Sequence, residues 1–433
     1  MNNMPLNPMT PKSALPTVST MTRLPQKAGW LQAFARKMVL KRLARLTRGE
    51  LIVTEQQETL HFGKPGTGLR VHLTVLDSRF YGDIAFAGSI GAGEAYMQGY
   101  WQCDDLTGLI RLMAINQSVM DTLEGGFASL FKPLLKGLHW LNRNTEQGSR
   151  KNIAAHYDLG NAMFQLFLDP TMMYSSGIFA RDDMTLEQAS LHKLERICQK
   201  LQLSPADHVV EIGTGWGGFA IYAASHYGCK VTTTTISQAQ YELAQQRVAA
   251  AGLSDKINIL LTDYRELEGQ YDKLVSIEMI EAVGYQFYDT YFAQCARLLK
   301  PQGMMLLQAI TIADQRYESA RRSVDFIQRY IFPGSCIPSV TAMLQSITRA
   351  SDMRLFDLED IGPHYARTLA EWRHNFFRNE AAIRALGYPD EFIRMWEFYL
   401  CYCEGGFAER ALGDVHMLLV KPENRRVPLA SAA

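Results

Sequence analysis

The 433-residue sequence lacks three features that would each point to a particular class of protein. No apolar run is long enough to span a bilayer, so no transmembrane helix is predicted. Neither charge is in excess, because 44 Lys and Arg residues balance 44 Asp and Glu residues, and this balance argues against nucleic acid as a partner. The seven cysteines are scattered, and the closest pair, Cys401 and Cys403, lacks C-x-x-C spacing. Neither a disulfide framework nor a metal site is therefore predicted, and a reducing, cytoplasmic compartment is favoured.

The N-terminal segment 1–28 has no apolar core and is rich in proline, threonine and asparagine, so it is predicted to be a disordered tail and not a signal peptide. The stretch that follows, 30–48, alternates basic with apolar residues, and no acidic residue appears before Glu50. A basic amphipathic helix is predicted there. Two roles remain open for this helix: binding an anionic membrane surface, or packing its apolar face on its own domain with the arginines in water.

Residues 29–145 are predicted to form a small α+β domain. Strands are predicted from Gly68 to Asp77, where apolar and polar side chains alternate, and from Asp83 to Ala87. A helical pattern runs from Leu106 to Leu123, and the polar stretch 143–150 is predicted to be a linker.

The most informative feature is a glycine-rich loop that follows an apolar strand at 208–212. Glycine lets a ligand lie directly against the backbone, so such a loop at the start of a helix suits a nucleotide. The spacing of Gly213, Gly215 and Gly218 matches the dinucleotide motif G-x-G-x-x-G, which alone is a weak signal. Glu211 adds a second pattern, E-x-G-x-G, which is found in methyltransferases that use S-adenosylmethionine (SAM).

The next predicted strand distinguishes the two cofactors. An NAD site places an Asp or Glu about 20 residues downstream, at the end of that strand, to hold the ribose. The strand here, Lys230 to Thr235, contains no acidic residue, so SAM is the predicted cofactor. Strands and helices then alternate as far as Ala309, which predicts an α/β, Rossmann-like class I methyltransferase fold. Ser237 is predicted to cap a helix, with Gln240 completing a capping box.

The catalytic domain is predicted over 151–425, with a lid insertion at about 312–370. Between Arg316 and Pro338 the insertion mixes arginines with aromatic and aliphatic residues. This segment could cover an acyl chain while its arginines meet phosphates, or it could be an ordinary helix packed over the domain.

Several motifs occur in the order that is typical of one enzyme family. They are His156-Tyr157-Asp158, Leu168-Asp169-Pro170, Tyr174-Ser175, Glu211-Ile212-Gly213-x-Gly215-Trp216-Gly217, Thr235-Ile236-Ser237-x-x-Gln240, Ser276-Ile277-x-x-Ile280-Glu281, Phe332-Pro333-Gly334, His364-Tyr365-Ala366 and Tyr402-Cys403-Glu404-Gly405-Gly406-Phe407. The chain resembles the cyclopropane-fatty-acyl-phospholipid synthases, which are related to the mycolic acid cyclopropane synthases. The resemblance covers about residues 51–422, and it includes the N-terminal domain found in enzymes that act on membrane phospholipids.

The resemblance implies an activity, a location and a base. SAM would methylate the cis double bond of an unsaturated acyl chain in a membrane phospholipid, and loss of a proton from the new methyl group would close a cyclopropane ring. The enzyme would be a homodimer, associated with lipid through its N-terminal domain and bound peripherally at the inner face of a bacterial membrane. In the family, a bicarbonate ion held by Cys, Glu, His and Tyr is taken as the base, so bicarbonate is a candidate cofactor here.

Two of those four positions match, Glu281 and Tyr365, whereas Ser176 replaces the Cys and Gln308 replaces the His. Because Gln cannot exchange a proton as His does, the product stays open: a ring, or the methyl-branched or methylene chain that a fatty-acyl C-methyltransferase would make. Cys403 matches a cysteine sometimes called catalytic in the family, and a structural role is favoured for it. The positions implied to bind SAM are Tyr174, Ser175, Glu211, Gly213, Gly215, Trp216, Gly217, Thr235, Ile236, Ser237, Gln240, Tyr264 and Arg265.

Two other functions are disfavoured by particular residues. A lipid-binding protein with a vestigial cofactor site would have a damaged glycine loop or would lack Glu281, and the sequence retains both. A methyltransferase for soluble small molecules would have no use for the basic helix at 30–48 or for the segment of arginines and aromatics that begins at Arg316.

Overall fold

The structure is a computed structural model that describes residues 29–66, 68–117, 119 and 160–427. Three sequence predictions lie outside the described residues: the tail at 1–28, the linker at 143–150 and the His156-Tyr157-Asp158 motif. Within the described residues there are two separate β-sheets, one of four strands and one of seven, and the predicted domain bounds stay a prediction.

The smaller sheet belongs to the N-terminal part, and its described strands follow the order β2-β1-β3-β4. These strands are β1 (Glu50–Glu55), β2 (Glu58–Gly63), β3 (Arg70–Val75) and β4 (Trp101–Cys103). Strand β1 pairs antiparallel with β2 and parallel with β3, and β3 pairs antiparallel with β4. The helices packed with them are α1 (Gly29–Leu43), α2 (Arg79–Met97) and α3 (Leu106–Ile115).

The strand predicted from Asp83 to Ala87 is wrong, because these residues lie inside helix α2. A five-residue pattern cannot distinguish a strand from a buried stretch of helix, and the neighbouring glycines suggested turns that do not form. One glycine does interrupt the helix: Gly88, with φ 59° and ψ −132°, kinks α2 near its middle.

Helix α1 has two faces with different surroundings. Its apolar face, with Val39 and Leu43, is buried against the small domain, and Arg36 on the flank pairs with Glu55 and Glu58 at 2.7 and 2.5 Å. The outward face carries four exposed side chains, which are Trp30, Phe34, Lys37 and Lys41, and Arg45 is exposed in the turn that follows the helix. Both predicted roles therefore have a structural basis, one on each face. In the part of the chain described, no helix is long and apolar enough to cross a bilayer.

The larger sheet has seven described strands in the order β10-β11-β9-β8-β5-β6-β7. Five run parallel: β5 (His208–Ile212), β6 (Lys230–Thr235), β7 (Ile257–Leu261), β8 (Tyr271–Ile277) and β9 (Leu299–Ile312). The last two, β10 (Arg354–Asp360) and β11 (Leu412–Val420), add antiparallel pairs at one edge. The chain runs from β5 outward to β7 and then crosses to β8, so the carboxyl ends of β5 and β8 flank the point where such folds bind ligands. This is the predicted Rossmann-like arrangement.

Helices cover both faces of the larger sheet. On one face α5 (Leu186–Leu201), α6 (Gly218–Tyr227) and α7 (Gln238–Ala250) pack around Leu194, Phe219 and Val248. On the other face α8 (Tyr288–Leu298) packs around Phe292. The remaining described helices are α4 (Asn161–Phe167), α9 (Asp314–Ala320), α10 (Phe326–Tyr330), α11 (Val340–Ala350), α12 (Gly362–Arg378), α13 (Glu380–Ala385) and α14 (Asp390–Ala408).

The insertion predicted at about 312–370 is shorter in the structure. Strand β10 pairs with β11 in the sheet, and Met343 of α11 is buried in the same cluster as α8. Both elements therefore belong to the layers of the fold. What remains as an added segment over the carboxyl edge is 313–338, which contains the short helices α9 and α10.

The two parts of the molecule meet where α2 contacts α10 and α14. The hydroxyl of Tyr96 donates to Glu397 at 2.6 Å, and the rings of Phe326 and Phe398 lie 4.7 Å apart. Gly93 of α2 lies against this pair, and a Cβ built on it would overlap the Phe326 ring. The small domain thus fits closely onto the catalytic domain because a glycine leaves room for buried aromatic rings.

Replacing Gly93 with Ala is expected to destabilise the protein by about 1–3 kcal/mol, because Phe326 is fully buried and cannot move aside without strain. Gly82 is a matched control in the same helix, since a Cβ built there meets no described atom within 4 Å. Ala at Gly82 is expected to be neutral or to stabilise by up to about 1 kcal/mol. Chemical denaturation measures both variants, and equal stabilities would contradict the contact.

Candidate active site

The glycine loop after β5 closes against β6 and opens toward a cavity. The N–H groups of Gly213 and Thr214 both donate to the carbonyl of Thr234, at 3.0 and 2.9 Å. Gly213, Gly215 and Gly217 have φ values of 102°, 51° and 84°, which side chains rarely adopt. A Cβ built at Gly215 would meet no described atom within 4 Å, and this open side lines the cavity. The loop therefore offers bare backbone to a ligand.

Buried side chains brace this loop from behind. The Trp216 ring is 2% exposed and donates from Nε1 to Asn161 at 2.8 Å, while the Trp216 carbonyl accepts from Arg247 at 2.6 Å. Glu211 accepts from the hydroxyl of Thr233 at 2.6 Å, and burial raises the pKa of its carboxyl to about 8. A cationic ligand in the cavity would stabilise the ionised form of Glu211, so this wall favours a positively charged molecule.

The second wall follows β6 and corrects one prediction. Ser237 does cap α7, because its hydroxyl accepts from the N–H of Gln240 at 3.3 Å. The Gln240 side chain does not complete a capping box, since its Oε1 accepts from the hydroxyl of Thr235 at 3.0 Å. The same Thr235 hydroxyl accepts from the N–H of Ser237 at 3.1 Å, so a closed set of polar contacts fixes this turn. Ile236 lies between them and lines the cavity.

The third wall follows β7. Asp263 is 2% exposed and pairs with Arg265 at 2.6 Å, an arrangement that the sequence reasoning did not identify. Tyr264 lines the cavity between them, and its ring lies 5.5 Å from that of Tyr291. The structure therefore places an aromatic ring at this edge, as predicted, and fixes the neighbouring arginine to a carboxylate.

Tyr174 and Ser175 line the cavity from the loop before α5. The hydroxyl of Tyr174 lies 2.8 Å from that of Tyr399, and the hydroxyl of Ser175 accepts from Nζ of Lys193 at 2.5 Å. Lys193 is fully buried, and burial lowers the pKa of its ammonium to about 8. This lysine was missed in the sequence, although a lysine at an apolar position of α5, between Ser190 and Leu194, is an available signal.

A carboxylate that the sequence reasoning also missed lies at the centre of the site. Glu278 is the first residue after β8, and its side chain lines the cavity. Oε1 of Glu278 accepts from the N–H of Ser176 at 2.9 Å and from Nε2 of Gln308 at 2.7 Å. Oε2 accepts from the hydroxyl of Tyr365 at 2.6 Å. Three of the positions that the resemblance assigns to anion binding therefore already donate to Glu278.

Two more carboxyl groups lie close by. Glu281 accepts from the N–H of Ile310 at 2.5 Å through Oε1, and its Oε2 has no hydrogen-bond partner among the residues described. Burial and the charge of Glu278 raise the pKa of Glu281 to about 8. Asp414 accepts from Gln308 at 3.0 Å, and burial with the charges of Glu278 and Glu281 raises its pKa well above the ordinary value. Gln308 is held in turn by His416, whose Nε2 lies 3.2 Å from Oε1 of the amide.

The remaining two predicted catalytic residues, Ser176 and Cys403, have side-chain surroundings that do not favour a catalytic role. The hydroxyl of Ser176 donates to the Gly177 carbonyl at 3.0 Å, so this residue contributes its backbone N–H to the site and not its side chain. Cys403 lines the cavity, and burial raises the pKa of its thiol, which disfavours a reactive thiolate. Their assignment as catalytic stays a prediction.

The arginines of the segment 313–338 are mostly paired with acids of the protein. Arg321 and Arg322 reach Glu318 at 2.7 and 3.0 Å. Arg329 reaches Glu94 of α2 at 3.1 Å, which ties this segment to the small domain. The segment lines the cavity, and the ion pairs of these three arginines show a packing role; its role as a lid stays a prediction.

The cavity that these walls enclose has a volume of about 630 Å³. The open side of Gly215, the aromatic edge at Tyr264 and the buried carboxyl of Glu211 together fit SAM, which is a nucleoside with a cationic sulfonium. A bicarbonate ion does not fit. Its donors are already engaged by Glu278, and an added anion would face the carboxyl groups of Glu278, Glu281 and Asp414.

Comparison with known proteins gives consistent matches. A profile of the family described as Mycolic acid cyclopropane synthetase matches residues 144–417. The chain is 38% identical over 345 residues to the tuberculostearic acid methyltransferase UfaA1 of Mycobacterium tuberculosis, covering 77% of this chain and 79% of that protein. It is 39% identical over 341 residues to the cyclopropane-fatty-acyl-phospholipid synthase of Escherichia coli K12, covering 78% and 85%.

A solved structure also matches the catalytic part. The mycolic acid cyclopropane synthase CmaA1, complexed with SAH and CTAB, superposes with a TM-score of 0.58 at 31% identity, over 63% of this chain and 98% of that one. Together with the family match, this structure confirms the predicted fold and the predicted use of SAM, whose demethylated product is SAH. The assignment of individual residues to SAM stays a prediction.

Replacing Gly215 with Val is expected to abolish SAM binding, because the side chain would fill the space that the loop leaves open and φ is 51° there. Gly252 is a matched control for backbone strain: its φ is 67°, and a Cβ there also meets no atom of the described chain within 4 Å, but it does not line the cavity. Gly252→Val should lose only stability, about 1–2 kcal/mol. Calorimetry that gave Gly215→Val wild-type SAM affinity would show that the cradle lies elsewhere.

Proposed function

The chain belongs to the mycolic acid cyclopropane synthetase family, and from this we propose that it transfers the methyl group of SAM to a double-bond carbon of an unsaturated fatty acyl chain in a membrane phospholipid. The cyclopropane-fatty-acyl-phospholipid synthase of E. coli and the tuberculostearic acid methyltransferase of M. tuberculosis support a lipid acyl chain as the acceptor.

The observation that carries the proposal is the continuity of the cavity. It runs from the glycine loop past Glu278 into the interior of the small domain, where it is lined by Leu51, Leu73 and Trp101. Apolar walls of this kind suit an alkyl chain, which gains about 0.8 kcal/mol for each buried CH₂ group. A phospholipid chain that entered here would lie against the SAM cradle at one point along its length.

The residues of the site suit a reaction that generates positive charge on carbon. SAM supplies an electrophilic methyl group, and an alkene that attacks it becomes a carbocation. The carboxylate of Glu278, which buried Lys193 helps to keep ionised, would provide negative charge where the cation would form. Glu281 and Asp414, whose pKa values burial raises, would ionise more readily once that positive charge appears. Apolar walls would exclude the water that would otherwise trap the cation as an alcohol.

Two products follow from one cation, and both remain candidates. Loss of a proton from the new methyl group closes the cyclopropane ring, which is the product named for the E. coli relative. A methyl-branched or methylene chain is the second candidate, and the residues at Ser176 and Gln308 favour it. Gln308 cannot take up a proton, and the Ser176 hydroxyl is turned to the backbone, so the cation is not surrounded by the groups that the ring-forming site is expected to use.

Expression in a bacterial host that lacks its own cyclopropane synthase tests the function. Membrane fatty acids are expected to gain the mass of one CH₂ if a ring or methylene forms, and derivatisation followed by mass spectrometry separates a ring from an exocyclic double bond. The Gly215→Val variant is the inactive control. Unchanged fatty acids in cells that contain folded wild-type protein would contradict the proposal.

The outward face of α1 supports a peripheral position on a membrane. Exposed Trp30 and Phe34 suit the interface of a bilayer, and exposed Lys37 and Lys41 on the same helix, with Arg45 just after it, suit anionic headgroups. This face belongs to the small domain, into which the cavity extends, so docking there would bring lipid close to the site. The homodimer that the family resemblance implies stays a prediction.

Reversing three charges with Lys37→Glu, Lys41→Glu and Arg45→Glu is expected to weaken binding to anionic vesicles, because each basic residue near such a surface contributes about 1 kcal/mol. The effect should shrink as salt rises, and SAM affinity should not change. The matched control reverses the exposed residues Lys230, Arg354 and Arg378 of the catalytic domain. Equal sedimentation of the two triple variants with vesicles would leave α1 with packing as its only role.

A further inference from the structure

We propose that Glu278 is a catalytic residue: its carboxylate is the base that accepts the proton lost from the methylated acyl chain, so the enzyme needs no bound bicarbonate. The inference rests on the proposed function, because a base is required only if a cation forms on the chain. It goes beyond that function in assigning the proton to a side chain that is part of this protein.

The contacts of Glu278 are those of a resident anion. Both of its oxygens accept short hydrogen bonds, from the N–H of Ser176, the amide of Gln308 and the hydroxyl of Tyr365. These donors come from a loop, from strand β9 and from helix α12. Three donors that converge on one point of the cavity suit an anion there, and the carboxylate of Glu278 is that anion.

The backbone of Glu278 has a conformation that non-glycine residues rarely adopt. Its φ is 48°, in the left-handed region, where non-glycine residues are uncommon. The strain is maintained by the N–H of Glu278, which donates to the carbonyl of Gln308 at 2.8 Å. Strained side-chain-bearing residues are concentrated at functional sites, because ordinary packing would select glycine. Here the strain directs a carboxylate into the cavity.

The surroundings of Glu278 supply both charge balance and proton capacity. Lys193, fully buried behind Ser175, contributes positive charge that favours the ionised form of Glu278. Burial raises the pKa of Glu278 above its ordinary value, and the hydrogen bonds with Tyr365, Ser176 and Asp414 act against that rise. A carboxylate between these influences can be ionised before the reaction and can hold a proton afterwards.

The π electrons of the double bond form a new C–C bond to the methyl group, the S–C bond breaks with its electron pair staying on sulfur, and the neighbouring carbon becomes cationic. A C–H bond then breaks and its proton moves to Glu278. The electron pair of that C–H bond closes the ring when the cation is still on the neighbouring carbon. If a hydride first shifts from the methylated carbon to the neighbouring cationic carbon, the cation lies on the methylated carbon and the same electron pair forms an exocyclic double bond. The protonated carboxyl later releases its proton to solvent when the product leaves.

Two substitutions at Glu278 separate its charge from its volume. Glu278→Gln keeps the shape and removes the base, and we expect product formation to fall at least about 100-fold with unchanged melting and SAM affinity. Glu278→Gly relieves the strained φ, so the fold should persist, and it opens the space that three donors face. Glu268→Gln, which removes an exposed carboxylate outside the cavity, is the matched control and should keep wild-type turnover.

The decisive comparison uses bicarbonate itself as the probe. Wild-type turnover of unsaturated phospholipid vesicles in CO₂-free buffer should not change when bicarbonate is added. Carbon-13 NMR of labelled bicarbonate should show binding to Glu278→Gly and no binding to the wild type. Turnover by the wild type that requires bicarbonate, bicarbonate bound to the wild type, or Glu278→Gln with near-normal turnover would each overturn the proposal.

Failure of the proposed function would give a different result. If the wild type leaves phospholipid vesicles unmodified, the substrate assignment is wrong. The NMR titration needs no turnover, so it still reports whether the Glu278 carboxylate or a free anion occupies the position between Ser176, Gln308 and Tyr365, and bicarbonate binding to the wild type would still reject the inference.

Discussion

The carboxylate of Glu278 joins segments that are far apart in the sequence. Its donors are Ser176 in the loop before α5, Gln308 on β9 and Tyr365 on α12. The first of these follows Ser175, which bonds to buried Lys193, and the second is held in turn by His416. The carboxylate of Glu278 therefore lies where a loop, a strand and a helix converge, beside the cavity in which a SAM methyl group and an acyl chain would meet.

An arrangement of this kind is costly to fold. Placing three carboxyl groups and a lysine away from water carries a desolvation penalty of several kcal/mol per ion, which ion pairing only partly offsets. Glu281 retains an oxygen without a partner in the described structure, and so does Asp414. Stability alone would favour apolar side chains at these positions. The cluster is understandable if its negative potential serves a reaction that passes through a cation, because that potential lowers the barrier only when the positive charge appears.

Much of the fold could be predicted from local patterns. The strand before Gly213, the acid-free strand at 230–235 and the helix cap at Ser237 follow from residue types whose physical effect is local. The strand predicted at 83–87 is wrong because five residues of a helix are too few to show the helical period. The capping box predicted at Gln240 is also wrong, because its side chain bonds to Thr235. That contact depends on the position of the end of β6, which local sequence does not show.

The centre of the site was less accessible to sequence reasoning. Glu281 and Tyr365 were identified through family motifs, but Glu278 is not part of those motifs and Lys193 lies in an ordinary amphipathic helix. Their significance comes from tertiary proximity: Glu278 reaches Tyr365 across 87 positions and Ser176 across 102. The sequence does contain one indication of Glu278: it directly follows a central parallel strand, and ligands bind at that edge of such a sheet.

The role of Glu278 can be tested by a crystal structure of the protein with S-adenosylhomocysteine and a phospholipid that carries a cis-unsaturated chain. We expect the chain to occupy the cavity, with its double bond beside the carboxylate of Glu278 and with the hydrogen bonds from Ser176, Gln308 and Tyr365 intact. A carbonate ion bound by those three donors with Glu278 turned away, or an acyl chain seated outside the cavity, would contradict it.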